Sequence, residues 1–250
     1  MLRELLNMLT TEHIATNAAE VLEAIRVAAH RSGRNADAVR LISVSKTFPA
    51  EAIRAAYDAG LREFGENRVQ EFQEKATVLN LASALPGALF HLIGHLQSNK
   101  VSLALGFNYI QTIDSERLAR RLNEAAEQHG KRLKVLLQIK LGEELAQEDR
   151  KTGAAESDAS RLATILGSLD HLDPQGLMLI PPYMEDPEGS RPFFQRLREI
   201  REQLRAEGHG WVQELSMGMS HDFPIAIEEG ATMVRIGTAL FGPRTRRESA

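Results

Sequence analysis

Residues 41–49 read LISVSKTFP, an apolar strand that ends in a lysine and is followed by a helical pattern. Side chains alternate along a strand, so Ile42, Val44 and Lys46 are expected on one face and two serines on the other. The lysine therefore points in the same direction as two core residues. Burial of an ammonium group is costly unless the group is paired or loses its charge.

Three roles are open for a lysine in this position. It can be one partner of an ion pair, or a neutral amine that attacks a carbonyl and forms a Schiff base. It can also be an ordinary strand-end lysine, with a buried stem and an ammonium group in solvent. The rest of the chain helps to choose among them.

Composition excludes several classes of function. The 250 residues carry a net charge of −4, so nucleic acid is not expected as the main ligand. No cysteine is present, which excludes disulfides and thiolate chemistry and fits a reducing compartment. No apolar run is long enough to cross a bilayer, and the N-terminus lacks the apolar core of a signal peptide. We expect a cytoplasmic protein without a membrane partner.

Short apolar segments alternate with helix-period segments along the chain. The predicted strands are Val39–Ser45, Arg62–Gly65, Leu89–Gly94, Tyr109–Ile113, Leu133–Lys140, Pro174–Ile180, Gly210–Ser216 and Thr232–Ile236. The predicted helices between them are Ala50–Ala59, Glu66–Leu79, Ser98–Leu105, Ser115–His129, Asp158–Leu169, Pro192–Glu207 and Asp222–Glu229. About eight such units in about 250 residues favour a closed (β/α)8 barrel over an open sheet. The predicted fold class is α/β, a single TIM-type barrel.

The chain 1–250 is predicted to be one domain, with an extra helix at 10–32 before a barrel at 39–242. Residues 142–160 are polar and acidic and predict a mobile loop after the fifth strand. The basic residues 244–247 are predicted to be a solvated end. No apolar strip suited to a dimer is evident, so a monomer is expected.

Active sites of such barrels lie at the carboxyl ends of the strands. Loops after strands seven and eight commonly bind phosphate, and Gly218 and Gly237 lie in these loops and allow a close backbone approach. Groups that could contact a phosphate are the hydroxyls of Ser216, Ser220 and Thr238 and the guanidinium of Arg235. The alternative is a glycine turn beside an arginine paired with a structural carboxylate.

Other motifs give weaker predictions. His91 and His95 lie four residues apart, but Gly94 interrupts the spacing and no third ligand is evident, so no metal is predicted. The run 220–222 contains serine, histidine and aspartate, yet sequence neighbours cannot adopt the geometry of a catalytic triad. These residues are instead predicted to begin the next helix.

A Schiff-base lysine on the first strand and a phosphate site on the last two would be neighbours in a closed barrel. Pyridoxal 5′-phosphate carries both an aldehyde and a phosphate at a suitable separation. Long stretches of the chain resemble one family, the pyridoxal-phosphate homeostasis proteins, also called the YggS/PROSC group. They are LISVSKTFPAEAIRAAYDAGLREFGENRVQE, HLIGHLQSNK, QTIDSERLA, GLMLIP and ELSMGMSHDFPIAIEEGATMVRIGTALFG.

The resemblance implies a single barrel like the N-terminal domain of alanine racemase, with fold type III cofactor binding. It implies that Lys46 is the cofactor lysine and that Asn67 faces the cofactor. It implies a phosphate site built from two motifs, in which the matching residues are Ser216, Met217, Gly218, Ser220, Arg235, Gly237 and Thr238. Arg235 has two possible partners, the phosphate or the ring nitrogen. One departure is the long acidic approach at 143–150 to the family's K-x-G motif at 151–153.

Two functions fit these residues. A racemase needs two bases, and in alanine racemase the second comes from a separate C-terminal domain across a dimer. This chain ends soon after its predicted barrel, and only Tyr183 is well placed to substitute. A carrier needs Lys46 and the phosphate site alone. We favour a protein of intracellular vitamin B6 homeostasis that holds pyridoxal phosphate as a lysine Schiff base. It would buffer the cofactor or deliver it to apo-enzymes, without an evident reaction of its own. The alternative is an amino-acid racemase that uses Lys46 as a base.

Overall fold

The computed structural model describes residues 9–142 and 152–243. The acidic approach at 143–150, the lysine of the K-x-G motif and the basic end at 244–247 lie outside the described residues. The strands are β1 (Arg40–Val44), β2 (Glu63–Glu66), β3 (Leu89–Leu92), β4 (Tyr109–Ile113), β5 (Leu133–Lys140), β6 (Ala154–Ala155), β7 (Leu172–Leu179), β8 (Glu214–Met219) and β9 (Met233–Ile236).

Eight of these strands form a closed parallel ring. The order around the ring is β1, β2, β3, β4, β5, β7, β8 and β9, and β9 pairs with β1. The two-residue strand β6 pairs with the end of β5 at the rim. The predicted (β/α)8 barrel is therefore confirmed.

Helices cover the outside of the ring. The α-helices among the described residues are α1 (Thr11–Arg31), α2 (Ala50–Asp58), α3 (Val69–Leu79), α4 (Leu81–Ala84), α5 (Val101–Ala104), α6 (Glu116–Gln128), α7 (Ala159–Gly167), α8 (Arg191–Ala206), α9 (Phe223–Glu228) and α10 (Thr238–Phe241). Short 3₁₀ turns lie at Ala36–Ala38, Ser98–Lys100, Glu156–Asp158 and Pro187–Ser190. In the described ranges, no helix combines the length and apolarity needed to span a bilayer.

The first helix shows how sequence pattern becomes packing. Thr10 caps α1 by accepting a hydrogen bond from the His13 N–H, and buried residues recur at Ile14, Ala18, Val21 and Ile25. This apolar face packs against α2, α9 and α10. The extra N-terminal helix therefore covers the outside of the barrel where its first and last units meet.

The apolar core has two layers. The larger layer lies between the strands and the helices, as expected when parallel strands are covered on their outer faces. A smaller cluster fills the barrel interior with Ile42, Tyr109, Leu136, Met178 and Met233. The interior also holds the polar side chains described below.

Three predicted element boundaries were wrong. The seventh strand was expected at Gly210–Ser216, but β8 spans Glu214–Met219, so most of the S-M-G-M-S motif lies inside a strand. A helix was expected to begin at Glu66, but Glu66 pairs with Leu92 in the sheet and α3 begins at Val69. The helix expected at Ser98–Leu105 is a 3₁₀ turn followed by one helical turn. Pairing with neighbouring strands decided the first two cases, and local hydropathy does not report such pairing.

Candidate functional site

Lys46 lies in a tight turn directly after β1, at the mouth of the barrel. The Phe48 N–H donates to the Ser45 carbonyl oxygen over 3.1 Å, which closes a four-residue turn with Lys46 and Thr47 at its centre. Ile42 and Val44 before the turn are buried, and Lys46 itself is half-buried. The first strand thus places the lysine at the edge of the interior, where its amine can reach a ligand in the mouth.

Asn67 lies beside this turn, directly after β2. The loop after β3 packs closely against its backbone, because a Cβ added to Gly94 would lie 2.2 Å from the Asn67 carbonyl oxygen. The Ile93 N–H also donates to the Glu66 carbonyl oxygen over 2.9 Å. Only glycine fits at position 94, so Ile93 and Gly94 together fix the backbone around Asn67.

Arg235 points into the barrel interior. It is 4% exposed, and its guanidinium donates to Ser216 Oγ over 2.7 Å and to the Leu179 carbonyl oxygen over 2.8 Å. Burial lowers the pKa of Arg235 to about 10, so the side chain remains protonated at neutral pH. The structure therefore places a fixed positive charge inside the barrel, with its hydrogen bonds to β7 and β8.

Polar side chains continue from Arg235 through the interior. Ser216 Oγ donates to Gln111 Oε1 over 2.7 Å, and Gln111 Nε2 lies 2.9 Å from His91 Nδ1. His91 Nε2 lies 2.9 Å from Glu63 Oε2, in a contact that is too poorly aligned to count as a hydrogen bond. Donation by Gln111 places the imidazole proton on Nε2, facing the carboxylate. Burial lowers the pKa of His91, although Glu63 opposes the shift.

A separate set of donors lies after β8 and β9. The N–H groups of Gly237 and Ala239 converge on Ser220 Oγ, at 3.3 and 3.4 Å. These long contacts leave the two N–H groups available to a stronger acceptor such as a phosphate oxygen. Gly218 has a φ of +91°, and a Cβ there would lie 3.0 Å from the Phe223 Cα. Gly218 lies within β8, and the close packing of this strand against α9 therefore requires glycine.

Strand pairing brings Lys46 and this set of donors together. Ser43 of β1 pairs with Ile236 of β9, and a Cβ on Gly237 would lie 3.4 Å from the Val44 carbonyl oxygen. The turn that carries Lys46 and the loop that begins at Gly237 therefore leave the sheet side by side. Thr238 follows and is exposed at the start of α10.

Two residues of the predicted phosphate site are placed differently from the rest. Ser216 is fully buried and bonds to Arg235 and Gln111 inside the barrel. Met217 is also fully buried, within the layer between strands and helices. Both lie within β8, as does Gly218, whereas the N–H groups of Gly237 and Ala239 lie after β9.

The two histidines considered as a metal pair do not share a site. His91 is buried in the interior, stacked on Tyr109 with ring centroids 4.4 Å apart. His95 is exposed on the loop after β3, and its Nδ1 lies 3.7 Å from Asp114 Oδ2. Asp222 precedes α9 as predicted and accepts a hydrogen bond from the Met219 N–H over 2.7 Å.

Sequence reasoning missed several polar residues near the mouth. Lys75 is 6% exposed and ion-paired with Glu66 and Glu71. The spacing of Glu71 and Lys75 by four residues on one helix was a usable signal, because such residues face the same side. Gln111 gave no signal beyond its position in a strand. Lys140 ends β5 and is half-buried.

Comparisons with known proteins show the family to which this chain belongs. Residues 17–245 match the family described as alanine racemase, N-terminal domain. The pyridoxal phosphate homeostasis protein of Aquifex aeolicus is 42% identical over 225 residues, which cover 90% of this chain and 95% of that protein. The protein of the same name from Escherichia coli K12 is 40% identical over 238 residues, covering 92% and 97%.

A solved structure gives the same result. PipY of Synechococcus elongatus, determined with pyridoxal phosphate bound, is 38% identical with a TM-score of 0.79, and the match covers 92% of this chain and all of that one. Sequence likeness over nearly the full length and likeness of fold therefore lead to one assignment. The chain belongs to the pyridoxal phosphate homeostasis protein family, which is built on the alanine racemase N-terminal barrel.

Proposed function

We propose that this chain binds pyridoxal 5′-phosphate at the barrel mouth, through Lys46, and takes part in intracellular vitamin B6 homeostasis. One observation carries the proposal. A half-buried lysine at the end of β1 lies beside two backbone N–H groups that converge at the end of β9. The cofactor carries an aldehyde, which reacts with an amine, and a phosphate, which backbone N–H groups can bind. The residues present therefore suit both groups of the cofactor.

Each residue of the mouth has a distinct task in this proposal. The neutral Lys46 amine condenses with the aldehyde, forming a C=N bond while the aldehyde oxygen leaves as water. The N–H groups of Gly237 and Ala239, with the hydroxyls of Ser220 and Thr238, bind the phosphate. Asn67, whose backbone packs against Gly94, faces the cofactor from the loop after β2.

We assign Arg235 to the ring rather than to the phosphate. Its guanidinium is bonded to Ser216 and Leu179, whereas the phosphate donors converge on Ser220. A protonated arginine beside the ring nitrogen would keep that nitrogen unprotonated. The ring would then be a weak electron sink, which suits a protein that holds the cofactor more than one that uses it for catalysis.

The tyrosines favour a carrier over a racemase. Tyr109 is at the opposite end of the barrel, where its hydroxyl accepts from Arg40 over 3.0 Å. The Tyr57 hydroxyl donates to the Pro86 carbonyl oxygen outside the barrel. Tyr183 is 80% exposed and stacks on His221 at the rim, so it lacks the buried, oriented position of a second base. We therefore propose a cofactor carrier without a reaction of its own, with apo-enzymes as recipients and the cytoplasm as its location.

The direct test is the visible absorption spectrum of the purified protein before and after borohydride reduction. We expect a yellow protein in which reduction attaches the cofactor permanently to Lys46, as read by peptide mass. The variant Lys46→Ala should lose the covalent bond and keep the circular dichroism of the wild type, because a residue at the mouth is not part of the core. A colourless protein that pyridoxal phosphate cannot reconstitute would overturn the proposal. Amino-acid turnover at an ordinary enzymatic rate that depends on Lys46 would favour the racemase instead.

A further inference from the structure

The two peptide groups on either side of Lys46 are both held by side chains of α3. The Ser45 carbonyl oxygen, in the peptide before Lys46, accepts a 2.8 Å hydrogen bond from Lys75 Nζ. The Thr47 N–H, in the peptide after Lys46, donates to Glu71 Oε1 over 2.6 Å. Together these two peptides set the direction in which the Lys46 side chain leaves the backbone. Side chains of one helix therefore act on the orientation of the lysine through its main chain.

Lys75 and Glu71 belong to an ion-paired cluster with Glu66, in which Lys75 and Glu66 are buried and Glu71 is partly buried; we call it the turn clamp. Lys75 Nζ lies 2.7 Å from Glu66 Oε1 and 2.8 Å from Glu71 Oε1. Glu66 is fully buried, and its Oε1 also accepts from Ser45 Oγ over 2.7 Å. The three N–H donors of Lys75 thus match three acceptors, which is the condition for keeping a buried ammonium charged.

The turn needs such support because its backbone is strained. Thr47 has a φ of +69°, as the second central residue of a type II turn requires. Glycine or asparagine is usual there, whereas the branched side chain of threonine crowds the backbone. Strained residues of this kind persist when surrounding contacts fix them. If the clamp were removed, Thr47 could relax towards negative φ and Lys46 would rotate with it.

We propose that Glu66, Glu71 and Lys75 are positioning residues for Lys46. They hold the strained turn, so that the Lys46 amine is already oriented when it meets the cofactor aldehyde. The proposal rests on the proposed function, because it concerns the covalent bond between Lys46 and pyridoxal phosphate. The clamp contacts the main chain of the turn and lies outside the set of groups assigned to the phosphate and the ring. Removal of the clamp should therefore slow the condensation of Lys46 with pyridoxal phosphate and leave noncovalent binding unchanged.

This separation can be measured with two ligands. Pyridoxal phosphate reports condensation through the rise of its visible band after rapid mixing, whereas pyridoxine 5′-phosphate lacks the aldehyde and reports only the ring and phosphate contacts. We expect Glu71→Ala to slow condensation by about tenfold to a hundredfold, the size of effect that small misplacements of reacting groups produce. Its dissociation constant for pyridoxine 5′-phosphate should equal that of the wild type.

Three further variants separate positioning from general stability. Glu71→Gln keeps an acceptor oxygen for the Thr47 N–H and should retain most of the rate. Glu74→Ala removes an exposed carboxylate from the same helix and should change nothing. Thr47→Asn tolerates positive φ, so in the Glu71→Ala background it should restore part of the lost rate.

Each outcome bears on one proposal or the other. A wild-type condensation rate in Glu71→Ala would overturn the clamp, and so would a parallel loss of pyridoxine 5′-phosphate affinity, which indicates damage to the whole site. Lys75→Met offers a stronger test, and thermal melting of the apo-protein shows whether it has folded. If the wild type forms no borohydride-reducible bond, the proposed function fails and the clamp fails with it. If the wild type condenses normally and both Glu71→Ala and Lys75→Met condense at the same rate, the clamp proposal fails and the proposed function stands.

Discussion

Clusters of charged groups, some of them buried, lie at both ends of the barrel, and they contact different parts of the chain. At the mouth, Lys75 and Glu71 contact main-chain groups of the turn that carries Lys46. At the opposite end, Glu63 contacts the side chains of two residues, with His91 Nε2 at 2.9 Å and Arg40 at 3.7 Å. Other groups there are Tyr109, Lys134 and Glu214, which surround Arg40 and His91 through hydrogen bonds, ion pairs and ring contacts.

The comparison separates charges that fix a conformation from charges that compensate one another. The turn at the mouth is strained, so its contacts keep the backbone in a conformation that it would otherwise leave. The opposite end consists of regular strand residues, so its contacts offset the burial of charged side chains. Residues at the carboxyl ends of barrel strands serve chemistry, and those at the other end serve stability. Substitutions at the two ends should therefore change different properties.

The largest effect is expected for Arg235→Met. Loss of its guanidinium should weaken the affinity for pyridoxal phosphate by about tenfold to a hundredfold, since a hydrogen bond to a charged group contributes about 1.5–3 kcal/mol. The variant also removes a buried charge that is bonded only to neutral groups among the described residues. The melting temperature of the apo-protein should fall little, because the burial cost of the guanidinium disappears together with its hydrogen bonds to Ser216 and Leu179. Unchanged affinity together with a lower melting temperature would make Arg235 structural and weaken the comparison.

Glu63→Ala tests the opposite end. Removal of this carboxylate leaves His91 and Arg40 without their shared partner, so the free energy of unfolding should fall by about 1–3 kcal/mol. The affinity for pyridoxal phosphate should stay at its wild-type value. Urea denaturation and cofactor titration measure the two quantities, with the exposed Glu124→Ala as the matched control. A loss of cofactor affinity as large as that of Arg235→Met would show that the two ends are coupled through the interior.

The pH dependence of stability tests a smaller effect at the end of the barrel opposite the mouth. Burial lowers the pKa of His91 in the folded protein below its ordinary value of 6.5. On acidification the unfolded chain binds a proton first, so stability should decrease as pH falls below 6.5, by at most about 1.4 kcal/mol per pH unit from this group. Glu63, whose pKa is lowered, adds a further loss only below its ordinary value of 4.5. In urea denaturation measured from pH 7 to pH 5, His91→Gln should remove this loss of stability. An unchanged dependence of the free energy of unfolding on pH would exclude His91 as its source.

The smallest effect is expected for Ser220→Ala at the mouth. One neutral hydroxyl contributes about 0.5–1.5 kcal/mol, so cofactor affinity should fall by about two- to tenfold while condensation at saturating cofactor keeps its rate. Ser102→Ala, on the exposed side of a helix, is the control. A slower condensation at saturation would mean that Ser220 also orients Lys46.

Regular features of the fold were predictable from sequence. Strand–helix alternation predicted the closed barrel, and the sequence stretches predicted the family, and both predictions are confirmed. Lys46 follows the first strand and Gly237 follows the last, as predicted. The assignment of individual residues to the cofactor stays a prediction, as do the monomer and the single domain. Met217 and Gly218 were expected after the seventh strand but lie inside β8, because the end of that strand depends on its pairing with β9.

Local patterns of residues were enough to predict the order of elements and the position of the lysine, because hydrophobic periodicity and strand alternation are local properties of the chain. The residues that surround that lysine depend on long-range contacts. Lys75 reaches the Ser45 carbonyl from 30 residues away, and Ser216 reaches Gln111 across 105 residues. Such contacts form only when the ring closes and each interior side chain must find a partner, and no local pattern of residues records which partner that will be.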